Sequence, residues 1–189
     1  FDRHGGFYFT DTGKKFDRTR DLGAVYYALP DGSKIVELAY HVSQANGIGL
    51  SPDQKTLYVA ECDTARLWAW EITSPGEIKK VGAHPPPHGG RFIAGLAGFQ
   101  WFDSLAVQAN GDICVGTLVT GAITVISPDG RIVREVKTPD TFPNQSRLWR
   151  AGHEDRLYHV RTDGAPRRSR LAGSRLAAQF LTIGVYGPQ

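Results

Sequence analysis

Three stretches of this chain repeat one another in order. Phe1–Asp11, Leu50–Glu61 and Val107–Thr117 each hold an apolar residue, a polar turn with Gly or Asp, and then an apolar-aromatic run. With Tyr8, Tyr58 and Cys114 as markers, the spacings are 50 and 56 residues. Two further strand-like runs follow each stretch, split by a turn. They are Ala24–Leu29 and Lys34–Leu38, then Arg66–Trp70 and Glu77–Val81, then Ala122–Ile126 and Arg131–Val136. Apolar and polar residues alternate in several of them, as half-buried strands require. Helical spacing is sustained nowhere in residues 1–144.

Short antiparallel strands recurring every ~40–50 residues are the arithmetic of a β-propeller blade. A β-sandwich also fits many short strands, but it does not predict internal order. The expected fold is therefore all-β, a β-propeller with about three blades over residues 1–144. Because closed propellers hold at least about four blades, the chain is expected to be an open wedge of a larger ring. It contains no Met and starts at Phe1, so a piece of a longer or processed protein is expected.

The repeat also points to a site. Asn46 lies four residues before Leu50, and Asp103 lies four residues before Val107. Both fall just ahead of the first strand of their repeat, which in a propeller lines the central channel. They should converge at one mouth. An amide carbonyl and a carboxylate are hard oxygen donors, suited to Ca²⁺ or another hard divalent cation. Asn and Asp also favour loop caps, and spacing alone leaves both readings open. The equivalent position in the first repeat falls before Phe1.

At these residues the chain resembles the gluconolactonase/senescence-marker-protein/regucalcin family of six-bladed propellers. The resembling stretches are Phe1–Gly13, Asn46–Glu61, Asp103–Thr117 and Ile123–Gly130. The resemblance implies a lactone hydrolase with one divalent metal in the channel, Ca²⁺ first, with Zn²⁺, Mn²⁺ or Mg²⁺ as alternatives. It implies Asn46 and Asp103 as metal ligands, beside a Glu of the first blade that would lie outside this chain, as would a substrate-binding Asn-Asp pair. Asp103 is the candidate general base, and the substrate is expected to be a sugar-type lactone. As given, the chain is expected to be an inactive fragment of such an enzyme. The rival reading is a non-enzymatic propeller, calcium-binding or a scaffold. A strictosidine-synthase-like propeller would lack the Asn46/Asp103 pair.

Weaker candidates accompany these. Asp11 and Thr12 offer a second cation site against an ordinary strand-end turn. Ser104 offers a substrate contact, without a nearby His–Asp arrangement for a nucleophile. His84 and His88 are four apart, but Pro85, Pro86 and Pro87 between them forbid a helical zinc pair, so the segment reads as a surface loop over the mouth. Trp68 and Trp70 share a strand face and are expected to pack between blades. Cys62 and Cys114 lie in apolar runs and read as buried free thiols.

The net charge of +3 is unevenly placed. Residues 1–144 hold 14 Lys+Arg and 16 Asp+Glu, whereas residues 145–189 hold 8 Arg, no Lys and 3 acids. The tail 145–189 is expected to be irregular. Arg-rich, Lys-free text also matches a GC-rich gene read off-frame, so its charge is assigned no function and no nucleic-acid partner is expected. No apolar run approaches the ~18 residues of a membrane helix. A cytoplasmic location with no membrane partner is expected.

Overall fold

The computed structural model describes residues 1–82, 86–139, 141–143, 145–151, 154–160 and 166–170. Among them only strands and turns occur, as the alternation predicts. The first antiparallel meander is β1 (Phe7–Asp11), β2 (Gly23–Ala28) and β3 (Ile35–Val42). The second is β4 (Ala45–Leu50), β5 (Thr56–Glu61) and β6 (Arg66–Ser74). The outer side of β6 is shared by β7 (Glu77–Lys79) and β8 (Arg91–Gly95). The third is β9 (Trp101–Val107), β10 (Ile113–Leu118), β11 (Ala122–Ile126) and β12 (Ile132–Lys137). These are successive blades of an incomplete propeller. By sequence position, β1 corresponds to β5 and β10.

The described residues 145–151, 154–160 and 166–170 correct one expectation for their part of the tail, and 171–189 lie outside the described residues. The three described segments form a fourth meander, β13 (Gln145–Ala151), β14 (Glu154–Val160) and β15 (Pro166–Arg170), with β13 beside β9. Charge composition is silent about backbone pairing. Leu157, Tyr158 and Val160 are strand formers despite the arginines around them. β8 is also beyond the expected runs. It adds to the half of β6 that the short β7 leaves unpaired.

Side chains alternate between the two faces of each meander, and successive meanders pack face to face. Tyr8, Val25 and Tyr27 of the first meander pack against Leu57, Val59, Trp68 and Trp70 of the second. Tyr58, Ala60, Leu67 and Ala69 of the second pack against Ile113, Val115 and Ile126 of the third. Cys114, Ile123 and Val125 form the far face of the third. Trp68 and Trp70 therefore share one inter-blade face, as their spacing requires. Cys62 and Cys114 are buried free thiols.

The His88 expectation is corrected as well. His88 is buried, with its ring 4.6 Å from Trp68 and 5.5 Å from Trp70. Trp70 Nε1 donates to the His88 carbonyl at 3.2 Å, and Gly90 N donates to His88 Nδ1 at 3.1 Å. Two indole faces offer more apolar contact than solvent over a mouth, so burial also pushes the imidazole below its usual pKa. His84 and Pro85 lie outside the described residues.

The Ser-Pro-Asp segments are turn devices. Ser51 Oγ donates to Asp53 Oδ1 at 2.6 Å, and Thr56 N donates back to Ser51 Oγ at 2.9 Å. Ser127 Oγ donates to Asp129, and Arg131 N donates to Ser127 Oγ at 3.1 Å. Each turn satisfies its own polar groups, which explains why the motif recurs in the sequence.

Candidate metal and active site

β4 and β9 lie side by side as the first strands of neighbouring meanders. Each carries a β-bulge at the corresponding place. Between the pairs Ala45↔Glu61 and Ile48↔Val59, Asn46 and Gly47 together oppose Ala60. Between Phe102↔Thr117 and Leu105↔Val115, Asp103 and Ser104 together oppose Gly116. Asn46 and Asp103 thus sit inside their strands rather than just ahead of them, because the ladder resumes beyond each bulge. A bulge bends its strand and re-aims the extra side chain, and here it does so twice toward one place.

A glycine permits the meeting. A Cβ on Gly47 would come closer than 3 Å to the Leu105 nitrogen, the Asp103 carbonyl oxygen and the Ser104 carbonyl carbon. With hydrogen there instead, β4 approaches β9 closely enough for the Asn46 side chain to hydrogen-bond the Asp103 carboxylate. The Ser104 N–H donates to the same carboxylate. Thr10 Oγ1 donates to the Asn46 carbonyl at 2.6 Å, tying β1 into the same row.

Asp103 is 4% exposed. Burial pushes its carboxyl up to about 7, against the pull of the Asn46 and Ser104 hydrogen bonds. Neither donor brings a positive charge, so these two partners hold the anion by dipoles. A carboxylate that burial leaves uncompensated is a hallmark of functional sites. The surrounding backbone is strained too. His41, Gln44, Ala65 and Val119 have φ of 78°, 55°, 47° and 76°; His41 lies near the end of β3 and the other three in turns at this end. Val119 is β-branched, for which such a φ is unfavourable.

The sequence reading gave Cys62, Arg20, Asp63 and Glu61 no role near this mouth. Cys62 follows the end of β5. Its thiol is pushed up to about 12, mainly by burial, then by the Asp103 charge, with Arg20 opposing. Arg20 pairs with Asp63, which accepts from Ser43 Oγ at 2.9 Å. The buried Glu61 accepts from Ser43 N at 2.9 Å, Thr64 Oγ1 at 2.6 Å and Trp68 Nε1 at 2.9 Å. Glu61, paired opposite Ala45, therefore ties the turn before β4 to β6. The signal available in sequence was its place: β5 ends where β4 begins.

The other candidates do not join this cluster. Asp11 is exposed, and its Oδ1 accepts from Gly13 N at 2.9 Å, closing a local turn. Thr12 Oγ1 points to the Gly13 carbonyl at 3.5 Å. Ser104 is buried beside Asp103. Among the described residues no group of three His, Cys, Asp or Glu side chains converges. The described cation donors at the mouth are thus one carboxylate and one amide carbonyl. Their chemistry fits a hard divalent cation, which would supply the positive charge that buried Asp103 lacks.

Comparisons with known proteins identify the family. The family model described as the SMP-30/gluconolactonase/LRE-like region matches residues 1–160, sixteen residues beyond the boundary expected at 144. Lactonase drp35 of Staphylococcus epidermidis is 33% identical over 140 residues, which cover 74% of this chain and 40% of that protein. The chain thus spans about two fifths of the length of this curated relative. Among solved structures, a calcium-binding protein, regucalcin, from Agrobacterium tumefaciens matches with a TM-score of 0.65 at 19% identity, covering 82% of this chain and 49% of that one. A gluconolactonase from Xanthomonas campestris matches with a TM-score of 0.64 at 24% identity, covering 84% and 51%.

Proposed function

Because the chain belongs to the SMP-30/gluconolactonase/LRE-like family, we propose that the Asn46–Asp103 mouth is the cation-binding and catalytic part of a lactone hydrolase. The carrying observation is the pair of matched bulges that brings a buried carboxylate onto a neighbouring amide. The drp35 lactonase likeness supports the reaction class. Asn46 Oδ1 and an Asp103 carboxylate oxygen would hold the ion, Ca²⁺ first, with the Asn46 amide turned from its present donor role. When bound, such a cation polarises a lactone carbonyl and acidifies water.

Asp103 does the proton work. It accepts a proton at a carboxylate oxygen as water adds to the lactone carbonyl carbon. It returns that proton to the ring oxygen as the C–O bond breaks, leaving a hydroxy acid. Ser104 N–H keeps the carboxylate oriented. The substrate we assign is a sugar-type lactone. Two buried, unpaired thiols fit a reducing cytoplasm.

The test is turnover of glucono-lactone, followed by acid release, on the chain and on any longer protein containing it. We expect turnover to need a divalent cation and to fall by about 10²–10⁴-fold in Asp103→Ala. Full activity in that variant, or in excess chelator, sinks the proposal. Cation binding without any lactone turnover, in the longer protein as well, transfers the site to a calcium-binding role.

A further inference from the structure

At the Asp103 end, β1–β2, β5–β6 and β10–β11 are joined by equivalent connections. The second takes residues 62–65 and the third 119–121, whereas the first takes 12–22. A blade closes with far fewer residues, so the added length serves something other than the fold. It forms an ordered finger. Lys15 bridges Arg20, Phe16 N donates to the Thr19 carbonyl at 2.9 Å, and Asp21 N donates to the Lys14 carbonyl at 2.9 Å. The neck is pinched at Gly13, at φ 72°, where a Cβ would come closer than 3 Å to the Asp21 carbonyl.

The charge of the finger is as distinctive as its length. It carries Lys14, Lys15, Arg18 and Arg20 against Asp17 and Asp21. The connection 62–65 carries only Asp63, and 119–121 carries no charge. Antiparallel pairing puts the Lys15 and Arg20 side chains on one face, and like charges set opposite each other repel. Lys14 and Phe16 take the other face, with Lys14 Nζ 5.2 Å from the Phe16 ring centre.

Arg20 turns its face of the finger toward the mouth. It pairs with Asp63 of the next connection, which Ser43 Oγ holds at 2.9 Å. Its side chain is 27% exposed, whereas Lys14 through Thr19 are exposed. The Cys62 thiol lies in the fields of both Arg20 and Asp103. One carboxylate, Asp63, thus meets a face with two cations. A guanidinium has five N–H donors, more than one carboxylate accepts.

We propose that this finger selects the substrate at the Asp103 mouth, with Arg20 and Lys15 binding a second, anionic group of the lactone, a carboxylate or a phosphate. The inference rests on the lactonase reading of the mouth and deepens it by assigning the substrate a charge. Arg20 is the specificity residue, Asp63 positions it, and Lys15 adds charge from the exposed side. The planar fork of Arg20 suits either oxyanion. A neutral sugar lactone offers it no such partner.

The test compares glucono-lactone, its phosphate ester and glucaro-lactone, on the 189-residue chain and on any longer protein containing it. We expect kcat/KM for one of the anionic lactones to exceed that for the neutral one by about tenfold or more, mostly through KM. The preferred lactone tells carboxylate from phosphate. Arg20→Gln should abolish the preference, Lys15→Gln should reduce it, and Arg20→Lys should restore part of it, with the circular dichroism spectrum kept. Lys79→Gln, on the outer strand β7, should leave the preference in place. Equal turnover of all three lactones by the unsubstituted protein overturns the proposal and leaves the lactonase reading standing. So does a preference that survives Arg20→Gln. Calorimetric binding of the corresponding open acids gives a readout that needs no turnover. Tighter binding of a doubly charged acid than of gluconate, lost in Arg20→Gln, keeps the anion site even where no lactone is hydrolysed and the lactonase reading falls. Equal binding of all the acids, without turnover, overturns both.

Discussion

The two ends of the meanders are made by the same strands, yet their turns obey different rules. At the end away from Asp103, Ser51 with Asp53 and Ser127 with Asp129 close their own hydrogen bonds inside each turn. These side chains are held by partners two to five residues away. At the Asp103 end, partners come from distant segments: Thr10 reaches Asn46, and Ser43 reaches Glu61 and Asp63. Four non-glycine residues there take positive φ, against Gln54 at the opposite end. One end is locally self-sufficient and stable. The other spends stability on geometry, as sites built for chemistry do.

The largest break in this contrast is expected from Gly47→Ala. The added methyl must push β4 off β9. Cation affinity, measured by calorimetry, should fall at least about tenfold, and stability should drop by roughly 1–3 kcal/mol, the usual cost of overpacking. Unchanged affinity would remove the close approach from the account.

Asp103→Asn should act in the opposite direction on stability. The folded carboxyl titrates near 7 rather than at its ordinary 3.8, so the folded chain holds a proton that the unfolded chain loses. Stability is then full below about pH 4 and declines as pH rises to about 7. Without cation, the Asn variant should be more stable at pH 8 by on the order of 4 kcal/mol, at about 1.36 kcal/mol per pKa unit. It should also lose this pH dependence. Denaturant titrations at pH 5 and pH 8, in chelator, decide it. Destabilisation at pH 8 would mark Asp103 as a structural anion instead.

Cation affinity carries the same signature. Below pH 7 the ion must displace a proton from Asp103, so affinity should weaken about tenfold per pH unit as pH falls and level off above about 7. A flat profile would place the ion elsewhere.

The smallest effects compare the ends directly. Val119→Gly relieves a β-branched residue at φ 76° and should stabilise by about 1 kcal/mol. Ser127→Ala at the opposite end removes turn hydrogen bonds and should cost about 1 kcal/mol, leaving cation affinity untouched. Thermal melts of both variants read the two signs.

Much of this organisation was legible in the chain. The alternation in Ala122–Ile126 and the spaced turns at Ser51 and Ser127 described blades, and the equal offsets of Asn46 and Asp103 placed them at one mouth. The bulges were not legible, since a bulge is a relation between two strands and Ala60 or Gly116 alone does not announce it. Nor was the fourth meander, where the arginines of 145–170 obscured strand-forming residues whose pairing depends on the neighbouring β9.

Local sequence by itself determined the strand period, the turn chemistry and the identity of the two oxygen donors, because each depends on residues within a few positions. Only the tertiary structure decided that His88 lies against two tryptophans, that Gly47 lets β4 meet β9, and that Asp103 is buried. Those depend on segments some fifteen to sixty residues apart meeting in space, and desolvation is a property of the meeting rather than of the residue.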